Sequence, residues 1–188
     1  MRRPVLLTAS LACAAAGLLA GCAPAPVVRD TPPPTSSAAS ATVHLASASG
    51  SLVSGTLTLR PMGDGVHVTG EIGGLAPGSS HGFHVHETGD CSAADASSAG
   101  DHFNPTSSPH GRAGAGAHHL GDSDNIVANA QGVAMVDAHL RDVGLGTGLA
   151  NDIGARAVVV HAAPDDYRSQ PFGNAGARVA CGVIAVQR

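Results

Sequence analysis

The chain has no lysine: its ten basic side chains are all arginine, set against fourteen carboxylates for a formal charge of −4 over 188 residues. With so little positive charge there is no basic stripe to track a phosphate backbone, which excludes nucleic-acid binding as a function class. There is no glycine-rich phosphate loop and no nucleophile elbow, so nucleotide and serine-hydrolase chemistry find no support. Nothing marks a second domain; once the ends are discounted, the remainder is the size of one core of ~100 to 150 residues. A membrane-spanning helix is missing too, because the apolar run Val5 to Ala20 falls short of the roughly 20 residues a span needs.

That run reads instead as an export signal, with Arg2 and Arg3 as its positive start and small residues before Cys22. Leu19, Ala20, Gly21 and Cys22 resemble a bacterial lipobox, which implies cleavage before Cys22 and a lipid on its thiol. Burying acyl chains contributes ~0.8 kcal/mol per methylene, enough for several chains to hold a protein at a membrane surface. The predicted organisation is a signal over 1–21, a lipidated Cys22 leading a Pro/Ala/Ser-rich tether over 22–41, and a domain over 42–188. The expected location is the cell envelope, on the periplasmic face of a bacterial membrane. Of the four cysteines, Cys13 leaves with the signal and Cys22 carries lipid. Cys91 and Cys181 remain, and two thiols in an oxidising compartment point to one disulfide.

Alanine content alone favours helix, but glycine interrupts the domain too often. β-formers recur over Thr42–Ala46, Leu52–Leu59, Val66–Ile72, Gly82–Glu87, Ile126–Ala130, Val133–Leu140, Arg156–His161 and Arg178–Val186. Eight short strands predict an all-β sandwich or flattened barrel. Two connections, 88–125 and 162–177, exceed the ~12 to 15 residues of an ordinary loop and are therefore read as functional.

The first long loop and the strands around it carry His84, His86, His102, His110, His119 and Asp122, with His161 following the apolar strand Ala157–Val160. His84 and His86, two apart on a strand, emerge on one face and can meet one ion. Imidazole suits copper and zinc, and a carboxylate among histidines suits a closed zinc site. His44, His67, His81 and His139 have no such partners, and His81 reads as a hydrogen-bonding neighbour of the site.

GFHVHETGDC, HFNPTSSPHG, HHLGD, VVVHAAPDD and GNAGARVACGVIAV, running in order from Gly82 to Val186, resemble the successive signatures of the copper/zinc superoxide dismutases. The resemblance implies an eight-stranded Greek-key β-sandwich, or flattened barrel, with two long functional loops. It implies copper bound by His84, His86, His102 and His161, and zinc bound by His102, His110, His119 and Asp122, with His102 shared. The family histidine three residues before the aspartate selects His119 over His118. Asp165, with Asp166 as the alternative, would link a copper histidine to a zinc histidine. Cys91 and Cys181 fall where the family disulfide is expected, and Arg178 matches the arginine beside copper that docks an anionic substrate. The implied reaction is disproportionation of superoxide to dioxygen and hydrogen peroxide, with His102 and Arg178 in catalytic roles.

Losing Arg2 and Arg3 with the signal takes the charge from −4 to −6, so a superoxide anion is repelled overall and must be drawn in locally. With no lysine, that steering falls to Arg168, Arg112 or Arg178. The rival classes are a copper or zinc carrier on the same fold and a structural surface lipoprotein with a degenerate site. Strand patterns carry no interface signal, so monomer and homodimer both stand.

Overall fold

The structure, a computed structural model, describes residues 35–187. The export signal, Cys22 and most of the tether lie outside the described residues. Ten strands follow one another: β1 Ser40–Ser47, β2 Ser54–Met62, β3 Gly65–Gly73, β4 Ser80–His81, β5 Phe83–His86, β6 Ile126–Val127, β7 Ala134–Arg141, β8 Ala157–His161, β9 Arg178–Val183 and β10 Ala185–Gln187. The only other regular element among the described residues is a single 3-10 turn over Ser97–Ala99. No described helix is long and apolar enough to cross a membrane.

Eight strands form one curled antiparallel sheet in the order β5-β8-β9-β1-β2-β3-β7, with β10 also paired to β1, and β4 and β6 form a separate pair. The chain leaves β3 to lay β5 on the far edge, returns to lay β7 beside β3, then crosses again to set β8 beside β5. Those three crossings make the Greek-key connectivity. Strand β1 joins the halves, since Ser40–Thr42 pair with β10 while Ala46 and Ser47 pair with Cys181 and Ala180 of β9. The predicted final strand is thus split at Ile184, whose amide bonds the Arg156 carbonyl instead of the ladder.

Alternation supplies the core. Val43, Leu57, Leu59, Val66, Val68, Ile72, Val136 and Leu140 point inward from one half and meet Phe83, Val85, Val158, Val160 and Ile184 from the other. Burying such side chains contributes ~1.5 to 3 kcal/mol each. Strands β5 and β8 are buried at every position, so they are covered on their outer face as well. That cover is loop 87–125, which brings Ala96, Ala99 and Cys91 against Ala157, Val159 and Cys181. The predicted disulfide Cys91–Cys181 is formed, with Cα atoms 5.7 Å apart.

Two expectations need correction. Composition extends the tether to residue 41, but Ser36 Oγ accepts the Leu145 amide at 2.9 Å, the Ala38 amide reaches the Leu145 carbonyl at 3.2 Å, and β1 starts at Ser40. Small residues of tether-like composition dock here because their backbone finds partners. Those partners lie on a third long loop, 142–156, beyond the two expected. Asp152 organises it by accepting the amides of Gly146, Gly148 and Gly154 at 2.7–2.9 Å.

Candidate metal centre

Three of the expected ligands are placed by strands. His84 and His86 stand on the outer face of β5, opposite Val159 and Ala157 of β8, and each is 1% exposed. His161 ends β8 at an irregularity in the ladder, where its partner on β9 is Arg178. Each ring spends one nitrogen on the protein. His86 Nδ1 donates to the Gly100 carbonyl at 2.9 Å, His161 Nδ1 to the Gly176 carbonyl at 3.1 Å, and His84 Nε2 to Asp165 Oδ2 at 2.8 Å. The other nitrogens turn inward, and Nε2 of His86 and of His161 come to 3.4 Å. Such outward partners fix tautomer and ring orientation in metal-binding histidines.

The other ligands come from loop 87–125, where a carboxylate does what a ladder cannot. Asp122 Oδ2 accepts the backbone amides of His119 at 2.9 Å and Gly111 at 3.2 Å. Its Oδ1 then sits 2.7 Å from His102 Nδ1, 3.1 Å from His110 Nδ1 and 3.3 Å from His119 Nδ1. His110 Nε2 meets Asp165 Oδ1 at 3.0 Å. Asp165 therefore lies between His84 and His110, while Asp166 is exposed and caps Arg168 and Ser169.

His102 belongs to both sets. His84, His86, His102 and His161 offer four atoms within 4.8 Å of one another, as do His102, His110, His119 and Asp122, and every member is buried. Among the described residues these are the two groups able to hold a metal ion. The fit to cations is chemical as well as geometric. His84 Nδ1 and His102 Nε2 are buried without a hydrogen-bond partner, and His110 Nδ1 and His119 Nδ1 face only the Asp122 Oδ1 that His102 already occupies, a costly arrangement that a bound cation relieves.

The two groups differ in protonation. Burial lowers His102 to about 4 and His161 to about 3, and pushes His86 well below its usual value. Burial opposes charge on His110 too, yet the hydrogen bonds it donates to Asp122 and Asp165 prevail and raise it to about 9. Burial works against both carboxylates, but their histidine partners hold them well below the usual range.

Arg178 lines a cleft of about 370 Å³ with His86, His102, His161, Phe172 and Asn174. Its guanidinium donates to the Ala96 carbonyl at 2.7 Å and the Gly100 carbonyl at 2.6 Å, so it shares Gly100 with His86. Of the other arginines expected to steer, Arg112 is tied to Asp124 at 2.8 Å, whereas exposed Arg168 has no ion pair among the described residues. His118 is half-buried and donates to the neighbouring His119 carbonyl rather than joining a group. His81 braces the His161 carbonyl at 2.7 Å, and Ser79 holds its other nitrogen at 2.6 Å.

Three contributors had no sequence pattern. The Asn125 side chain clasps the backbone of Asp165 from both sides, at 2.8 and 2.9 Å, and the Gln170 side chain clasps that of His110, at 2.8 Å each way. Phe172 lies over His102 with ring centroids 5.1 Å apart. The one available signal was rarity: a phenylalanine in a loop, in a chain with three.

Residues 53–184 match the family model described as copper/zinc superoxide dismutase (SODC). A SOD-like protein from Bacillus subtilis is similar at 35% identity and a TM-score of 0.69, over 76% of this chain and 97% of that one. A double mutant of a SOD-like protein from Bacillus subtilis gives 35% and 0.70, over 77% and 96%. The clock protein EA4 gives 36% and 0.72, over 81% and 98%.

Proposed function

The chain belongs to the copper/zinc superoxide dismutase family, and we propose that it is an exported, lipid-anchored enzyme converting two superoxide anions and two protons to dioxygen and hydrogen peroxide. The observation that carries this reading is the complete donor set around a shared His102, opening on a cleft that holds a fixed arginine. Copper at His84, His86, His102 and His161 would supply the one-electron oxidation and reduction of superoxide, while zinc at His102, His110, His119 and Asp122 would supply a redox-inert charge.

The protein's own residues do the rest. Arg178 offers a fixed charge to a small anion, and its two carbonyl contacts hold it at the cleft before the anion arrives. Exposed Arg168, two residues before cleft-lining Gln170, adds charge at the rim in a chain otherwise repulsive to anions. Asp122 anchors one side of His102 and leaves its Nε2 facing the strand group. The lipobox-like Leu19 to Cys22 supports attachment through Cys22 at the cell envelope, facing the periplasm.

Metal analysis of the purified chain, with superoxide consumption measured beside His161→Ala, tests the function. Copper and zinc near one each with turnover lost in the variant is expected. Both metals bound without turnover in the unaltered chain would make this a metal carrier instead. Mass spectrometry of the mature N-terminus tests lipid on Cys22.

A further inference from the structure

Phe83 and Phe103 are core residues, 2% and 3% exposed, but Phe172 lies outside the core, half-buried on the wall of the cleft. Its loop is pinned on both sides. Before it, Gln170 makes its two bonds to the His110 backbone. After it, Gly173 runs so close to the centre that an added Cβ would fall 1.9 Å from Asp165 Oδ1 and 2.6 Å from His110 Nε2. The ring between these points is thereby laid over His102. The cleft consequently has two unlike walls: His86, His161 and Arg178 on one, and on the other the loop, where polar Ser169, Gln170 and Asn174 flank the apolar ring of Phe172.

From these walls we infer that Phe172 is a specificity-determining residue, an apolar shutter that admits small, weakly hydrated monoanions to Arg178 and rejects strongly hydrated, multiply charged ones. The inference rests on the reading of the cleft as a superoxide site and narrows which anions it accepts. An anion reaching Arg178 past Phe172 gives up water where it faces the ring and gains no hydrogen bond from the ring in return. Uncompensated desolvation grows steeply with charge, so a monoanion such as superoxide or azide loses little and phosphate loses much. One arginine does not offset the second charge. Gln170 is the mount that keeps the ring in place.

Azide and inorganic phosphate are titrated separately into the full chain, with the Arg178 side-chain N–H resonance as the readout and metal content measured in parallel. In the unaltered chain azide moves the resonance at far lower concentration than phosphate. In Phe172→Ala the apparent affinity for phosphate rises about tenfold, while that for azide changes less than about twofold. Phe172→Leu, which keeps an apolar group of smaller size, falls between and covers a failure of the alanine variant to fold. Gln170→Ala shifts selectivity in the same direction and speeds hydrogen exchange at the His110 amide. An unchanged phosphate-to-azide ratio in both Phe172 variants overturns the shutter; an unchanged ratio in Gln170→Ala overturns the mount. Because the resonance reports on anions without turnover, a chain that binds metal but consumes no superoxide defeats the proposed function while this test still decides the role of Phe172.

Discussion

His84, His86 and His161 sit on β5 and β8, where ladder bonds fix the backbone and a buried core lies beneath. His110, His119 and Asp122 sit in a loop with no ladder, and side chains do the fixing: Asp122 holds two backbone amides, and Gln170 holds the His110 backbone. The halves also differ in what they hold without metal. His86 and His161 are kept neutral by burial, whereas His110 is kept protonated by two carboxylates. The strand half is preorganised as empty donors; the loop half keeps a proton where its ion belongs.

The largest break in that contrast comes from removing the cross-link between the halves. Cys91 ties the loop to Cys181 on β9 across 90 residues, and closing a loop of that length stabilises by about 4 to 5 kcal/mol in the chain-entropy account. Reduction is expected to lower the denaturation midpoint accordingly and to speed hydrogen exchange in 88–125 before the β5–β8 ladder. Equal acceleration in both regions would mean that the loop has no separate stability.

Next comes Asp122→Ala. It strands the Gly111 and His119 amides and takes from protonated His110 one of its two counter-charges. Breaking a buried charged pair costs about 3 to 5 kcal/mol. Stability of the metal-free variant should fall by that order, and zinc should be lost to a chelator at once. His161→Ala, by contrast, should leave both the loop and zinc in place.

The same division governed what the sequence disclosed. The strand half was legible from first principles: His84 and His86 two apart on a β-run share a face, and His161 follows an apolar strand. His110, His119 and Asp122 came from family signatures, because no periodicity says which way a loop side chain turns. The order of the strands was beyond alternation, since pairing β5 with β8 and β3 with β7 depends on contacts far apart in the chain. Asn125 and Gln170 escaped for a related reason: they work through hydrogen bonds to backbone 40 and 60 residues away, respectively, and an amide side chain in a loop has no signature. Ser36 and Ala38 look like tether until loop 142–156 supplies partners.

Proton competition gives a smaller, graded effect. Because His110 is raised to about 9 from 6.5, an ion entering the loop half displaces a proton anywhere below that value. Zinc affinity there should fall about tenfold per unit as pH drops from 9 toward 6.5. His86 and His161 have no proton to lose over that range, so copper affinity should change far less; titration with each metal at several pH values measures both. The stability of the metal-free chain runs the other way. The contribution of His110 pairing is fully present below pH 6.5 and lost as pH rises through about 9.

The smallest effect belongs to the residue that joins the halves. Asp165 takes a strand ligand, His84, at 2.8 Å on one oxygen and a loop ligand, His110, at 3.0 Å on the other. Asp165→Asn keeps the shape and one acceptor while removing the charge. Changes in such outer partners typically cost 10 to 100-fold in metal affinity. The loss should fall on zinc, because His110 depends on this carboxylate for its orientation, whereas His84 keeps its place through the β5 ladder. The zinc pH profile should shift at the same time, since a less basic His110 surrenders its proton at lower pH. Competition titrations for each metal in the variant decide the matter: equal losses on both sides would show that the carboxylate, rather than the strand, holds His84 in position.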